Sequence, residues 1–270
     1  MGVTPTGGMR ASRTPRRSDQ PGWFSDVLGL VVLDLRQFFD NRLFAVSTFL
    51  TSVSMVLAFG AATDQMASPS RGAANYFGFV FPGILAAGIM FSCTYTVGYT
   101  IIIDRNRRTI EDLILSPLSY SGFLLARFVG VVVKCFFQFA LVLVLGVVVF
   151  DAKIDSTALL VLSFVSGCMT FAGLGTFIAT YTNEVSFPAV VNIIVIPLMY
   201  FAGVFFPLQN LGTLGKVLAK LPLSVHVEVF RAATGQGPSP SALTLSLTVA
   251  YALLTVGVAA FAFRRRIGHG

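Results

Sequence analysis

Leu43–Ala62 runs for 20 residues without a charged side chain, and Gly72–Ile103 runs for 32. A helix rises about 1.5 Å per residue, so roughly 20 apolar residues cross a hydrocarbon core of about 30 Å. Stretches of this kind recur to the end of the chain and leave little sequence from which to build a water-facing surface. Hydrophobic residues make up 55% of the 270 and charged residues 11%, whereas a soluble domain carries about 25% charge. The composition excludes a soluble enzyme, a disordered chain and a folded nucleic-acid-binding domain. It predicts an all-α integral membrane protein.

Six spans are expected: Leu43–Ala62, Phe77–Ile103, Phe123–Phe150, Thr157–Thr182, Val185–Phe206 and Ala242–Phe263. Pro82 and Gly83 invite a tilt or kink in the second, and Arg264, Arg265 and Arg266 stop the sixth. Residues 1–22 form a basic tail too poor in apolar residues to fold. The distance from Arg17 to the first uncharged apolar run is too long for a cleaved export signal. In residues 23–42, Phe24, Val27, Leu28, Val31, Leu35, Phe38 and Phe39 recur at three and four, with Asp26, Arg36, Gln37 and Asp40 mostly opposite. That pattern predicts an amphipathic helix in the membrane interface or against a partner's soluble surface. Asp34 fits the apolar face poorly. Between spans five and six, residues 207–222 keep helical spacing of leucines among polar residues, which predicts short re-entrant or external helices, and Gly235–Ser241 is a turn cluster.

Six spans place both termini on one side, and the positive-inside rule selects the side. With the N-terminus in the cytoplasm, twelve arginines fall in inner segments, against five basic residues, Arg71, Lys153, Lys216, Lys220 and Arg231, in outer loops. Both termini, including residues 264–270, are expected in the cytoplasm.

Few residues carry recognisable chemistry. Gly212–Lys216 has the wrong spacing for a phosphate-binding loop, and no nucleophile elbow is present. His226 reads as an interfacial ring, and neither it nor His269 has a metal-ligand partner at suitable spacing. Cys93, Cys135 and Cys168 share no short spacing and read as packing residues. No Asp or Glu lies within a span, so proton coupling is not expected. The energy for any transport must then enter from outside.

One segment offers such an entry. Residues 104–119, DRNRRTIEDLILSPLS, form the most charge-dense part of the chain and lie between two spans. Phe81–Gly83 (FPG), then Asp104–Arg127, then Pro197–Leu211 (PLMYFAGVFFPLQNL) and Leu221–Arg231 (LPLSVHVEVFR) together resemble the membrane subunits of the ABC transporter type 2 permease family. The resemblance covers Leu43–Phe263. It implies a bacterial plasma-membrane exporter of an amphipathic drug, antibiotic or lipid-like substrate, working as two such chains, identical or homologous, with two ATPase subunits. ATP and Mg would be bound by the ATPase, and this chain would hold no cofactor, no metal and no catalytic residue of its own. A polysaccharide or lipid-linked glycan exporter, and a non-transporting membrane anchor, are the alternatives.

The resemblance also assigns roles. Thr109, Ile110, Glu111, Asp112, Leu113, Ile114 and Leu115, ending at Ser116 and Pro117, match a cytoplasmic coupling helix that docks on the ATPase. Ile110, Leu113 and Ile114 share one helical face, while Glu111 and Asp112 can meet basic residues of a partner. Phe205, Phe206 and Pro207 match an outer gate, with Pro207 expected to break the helix. The plainer reading makes Phe206 an interfacial aromatic and Pro207 a helix end. Tyr95, Tyr99, Asn192 and Tyr200 are candidates to line a pathway, and helix–helix hydrogen bonding would explain such polar residues almost as well. Arg127 and Lys134 lie inside span three, where cations are costly. They are candidates for an anionic lipid or substrate, with snorkelling as the alternative for Lys134.

Overall fold

The computed structural model describes residues 23–40, 42–65, 74–106 and 120–267, and the regular structure among them is entirely helical. In chain order the helices are α1 (Trp23–Asp40), α2 (Arg42–Gln65), α3 (Ala74–Asn106), α4 (Tyr120–Phe150), α5 (Thr157–Tyr181), α6 (Ser186–Phe201), α7 (Gly212–Leu218), α8 (Pro222–Ala233) and α9 (Ala242–Ile267). A 3-10 turn, Leu208–Leu211, precedes α7. The tail 1–22, the loop 66–73 and coupling positions 107–119 lie outside the described residues.

Among the described residues four helices are long and apolar enough to cross a membrane: 76–106 of α3, 122–150 of α4, 157–181 of α5 and 242–266 of α9. They carry spans two, three, four and six of the sequence reading. The other two expected spans fall on α2, 24 residues, and α6, 16 residues. At 16 residues α6 is about 24 Å long. It ends at Phe201, well short of the expected Phe206.

α5 occupies the centre, packed between α3 and α9. Its start is set by Ser156, whose hydroxyl accepts from the Leu159 amide at 3.4 Å. Its small residues allow both neighbours close: a Cβ on Gly175 would stand 2.5 Å from the Thr94 carbonyl oxygen of α3, and one on Gly173 would stand 2.6 Å from the Thr255 carbonyl carbon of α9. In lipid, helices associate through such close packing and not through exclusion of water. Thr94 adds a hydroxyl hydrogen bond to the Phe171 carbonyl at 3.3 Å. Around this axis Phe81, Phe123, Phe171, Phe187, Phe230 and Phe263 are fully buried.

α1 packs on α4. Its buried positions are Val27, Val31, Asp34 and Phe38, while Leu28, Val32 and Leu33 stay exposed. The misfit residue of the sequence pattern, Asp34, therefore stands in the middle of the packed face.

Candidate functional site: an ionic knot and a helix break at the two ends of α3

Where α3 ends and α4 begins, four buried charges meet. Asp34 Oδ1 of α1 lies 3.1 Å from a terminal guanidinium nitrogen of Arg127, and its Oδ2 lies 2.7 Å from Lys134 Nζ. The other terminal nitrogen of Arg127 reaches Asp104 Oδ2 of α3 at 2.6 Å. Among the described residues two carboxylates thus face two cations. The aromatic rings of Phe123 and Phe38 lie 5.1 Å from the Arg127 guanidinium and 5.6 Å from Lys134 Nζ.

Helical periodicity explains the geometry. Arg127, Gly130 and Lys134 follow at three and four along α4 and share one face. Gly130 has no side chain, and a Cβ there would collide with Asp34 Oδ2. The carboxylate can therefore lie against the α4 backbone with a cation on either side. Such a cluster survives burial because every ion is compensated; removing one partner leaves an unpaired charge and typically costs about 3–5 kcal/mol. The ion-paired cations are held by this chain's own carboxylates, so an outside anion would have to displace Asp34 or Asp104. Lys134 does not need to snorkel either. Lys134 stands about 21 Å from the start of α4, near its middle, and there the Asp34 carboxylate meets its charge.

The same end is tied to α5. Arg105 donates to the carbonyls of Thr182 at 2.6 Å and Ala179 at 3.4 Å, and Asn106 donates to Glu184 at 3.3 Å. Asp104 and Arg127 flank the coupling segment, one just before it and one just after. Arg127 of α4 joins Asp104 of α3 to Asp34 of α1, while Arg105 and Asn106 make the tie to the end of α5.

About 37 Å away along α3, near Phe79 and Gly83, the chain breaks after α6. Gly203, just beyond the Ala202 cap, takes φ of +73°, a conformation that favours glycine. This corrects the sequence reading: the break lies at Ala202–Gly203, and Pro207 serves as the cap of the following 3-10 turn. A helix end leaves carbonyls without partners, and Arg231 of α8 meets that need. It donates to the Gly203 carbonyl at 2.6 Å and to the Phe79 carbonyl at 3.4 Å, with its guanidinium 3.9 Å from the centre of the Phe79 ring. Burial lowers its pKa to about 10, with Glu228 opposing the shift, so it remains charged at neutral pH.

Of the three expected gate residues, Phe205 stacks on Phe59 of α2 with centroids 5.2 Å apart and lies 6.1 Å from the Tyr200 ring. Phe206 and Pro207 are exposed. The pathway candidates divide. Tyr95 donates to Asn192 at 2.6 Å and, with Tyr99, packs against Phe187, joining α3 to α6. Tyr200 is exposed on α6, in line with Asn192 and Ile196. His226 is buried within the protein; its Nδ1 donates to the Pro222 carbonyl at 2.7 Å, and burial lowers its pKa.

The model of the ABC-2 type transporter family matches residues 27–234, about three quarters of the chain. The chain belongs to that family. The match takes in α1 with Asp34, all three helices around the knot, and α8 with Arg231. No curated protein matches the chain. As an ABC-2 type protein it is a multi-pass membrane protein of a kind that works with an ABC ATPase. Sequence reasoning had isolated Arg127 and Lys134 but not their partners, although the awkward position of Asp34 was a visible signal. From the sequence Arg231 reads as an outer-loop cation and as the last residue of LPLSVHVEVFR, with no partner to assign to it.

Proposed function

We propose that this ABC-2 permease is the transmembrane subunit of an exporter with six spans per chain, working as two such chains with two ATPase subunits. Both termini lie in the cytoplasm of a bacterial cell, and the cargo is an amphipathic drug, antibiotic or lipid-like molecule. In this reading the coupling positions Thr109, Ile110, Glu111, Asp112, Leu113, Ile114, Leu115 and Pro117 dock on the ATPase. Closure of the ATPase pair moves that segment. The knot passes the movement to α1, α3 and α4 together, and α3 carries it to the break at Gly203. The exposed stripe Asn192, Ile196 and Tyr200 suits a wall shared with the second chain, with Phe205 and Phe206 above it as the gate. Arg127 and Lys134 act first as links in the knot; contact with an anionic lipid or substrate is the second role, and it requires displacing Asp34 or Asp104.

The observation that carries this reading is the anchoring of both flanks of the coupling segment to one buried ionic cluster in a chain of the ABC-2 family. The test is co-purification of the permease with its ATPase. Leu113→Asp places a charge in a desolvated contact, at a cost of several kcal/mol. It should detach the ATPase while the chain still inserts and dimerises. Full retention of the ATPase and of transport in that variant would refute docking at this segment. The permease purified free of any ATPase should hydrolyse no ATP.

A further inference from the structure

The three cysteines, at positions 93, 135 and 168, come from three helices, α3, α4 and α5, yet their sulfur atoms all lie within 4.8 Å of one another. Cys93 Sγ and Cys135 Sγ are 3.0 Å apart, and Cys135 is 3.3 Å from the Ser92 hydroxyl oxygen. All three cysteines are buried and free. Packing alone asks only that a small apolar side chain fill each place, and it gives no reason for three thiols to converge. Among the described residues this is the one group of three or more potential ligands with the compactness of a metal site.

We propose that Cys93, Cys135 and Cys168 form a trigonal sulfur site for a soft, thiophilic cation of the Cu(I) type. Three sulfurs bound to one ion at about 2.3 Å stand about 4 Å from one another. Opening the Cys93–Cys135 pair by about 1 Å brings that side of the triangle to this length, and all three sulfurs already lie within 4.8 Å of one another. Sulfur donors without carboxylate or imidazole select soft ions over Mg and Ca. Beside Cys135 is a cavity of about 20 Å³, lined by Ser92, Gln138 and Met55 among apolar neighbours. Room of this size holds one water-sized body beside Cys135. Each sulfur that bonds the cation releases its proton to solvent and binds as thiolate, and the cation offsets part of the charge so formed. No oxidant or reductant is consumed. A bound ion would clamp α3, α4 and α5 at mid-bundle, between the knot and the break.

The test uses the full-length reduced protein in detergent or nanodiscs, with Cu(I) delivered anaerobically from a competing chromogenic chelator. Wild type should withdraw one Cu(I) per chain, and X-ray absorption should show three sulfur neighbours. Cys93→Ser, Cys135→Ser and Cys168→Ser, each close to isosteric, should each lose stoichiometric binding while eluting as folded protein. Failure of wild type to compete overturns the proposal without recourse to any variant. So does undiminished binding in any of the three variants, or an absorption spectrum with fewer than three sulfurs. A Cys93–Cys135 disulfide in protein whose thiols were trapped at lysis would also overturn it, because a metal ligand must be reduced.

Discussion

The two ends of α3 are held by different chemistry. At the end next to Asp104, two carboxylates and two cations from three helices meet in a buried ionic cluster among the described residues. At the break, one arginine caps backbone carbonyls, and aromatic rings lean on one another. A buried ionic cluster loses several kcal/mol as soon as one member leaves, whereas a hydrogen bond from a charged donor contributes about 1.5–3 kcal/mol, and aromatic contacts slide. The contrast suits a machine that takes a push at one end without distortion and yields at the other.

The largest effect should come from breaking the stiff end. Arg127→Met removes the cation that joins Asp104 to Asp34. It should destabilise the permease by about 3–5 kcal/mol, seen as a sharp fall in folded yield and in melting temperature in detergent. If Arg127→Met melts like wild type, the knot holds nothing together. Lys134→Met is expected to cost less because Asp34 keeps Arg127. Most of that cost should vanish when Asp34→Asn is added, so a double-mutant cycle reads the pair directly. Wild-type transport in Lys134→Met would leave Lys134 with a structural role only.

Next comes the yielding end. Arg231→Gln removes the charged donor from Gly203 and should cost about 1–3 kcal/mol. The expected signature is leak through the outer gate, measured as cargo efflux from vesicles without ATP, while co-purification with the ATPase is unchanged. Equal losses of ATPase binding in Arg231→Gln and Arg127→Met would erase the distinction between the two ends. Smallest of all should be Tyr95→Phe, which loses one hydrogen bond to a half-open neighbour, about 0.5–1.5 kcal/mol. A larger loss of transport than of stability in that variant would place Tyr95 in the pathway.

How much of this was legible in the sequence depended on the range of the interaction. The long apolar helices could be read because hydrocarbon thickness dictates their length, and α3, α4, α5 and α9 lie close to the expected bounds. The end of α6 was misplaced because proline is the louder signal. A glycine in the left-handed conformation, Gly203, six residues after the start of PLMYFAGVFFPLQNL, stands where the helix stops. Asp34 broke an otherwise regular helical pattern, and only the position of α4 reveals why. Cys93, Cys135 and Cys168 were read apart because 42 and 33 residues separate them along the chain, and no local spacing announces a convergence made by three helices.

The order of the four knot charges along the chain bears on how the protein is made. Asp34 and Asp104 both precede Arg127 and Lys134, so each anion has left the ribosome before the cations that need it. An arginine or lysine at the centre of a helix entering lipid costs about 2.5–3.5 kcal/mol on the insertion scale. α4 brings two, although it is otherwise the most apolar of the four long helices. With α1 and α3 already waiting beside the translocon, α4 can neutralise its own burden as it enters. A permease truncated before residue 35 would present the same helix to the membrane with Lys134 unanswered, and its biogenesis, more than its finished stability, should suffer first.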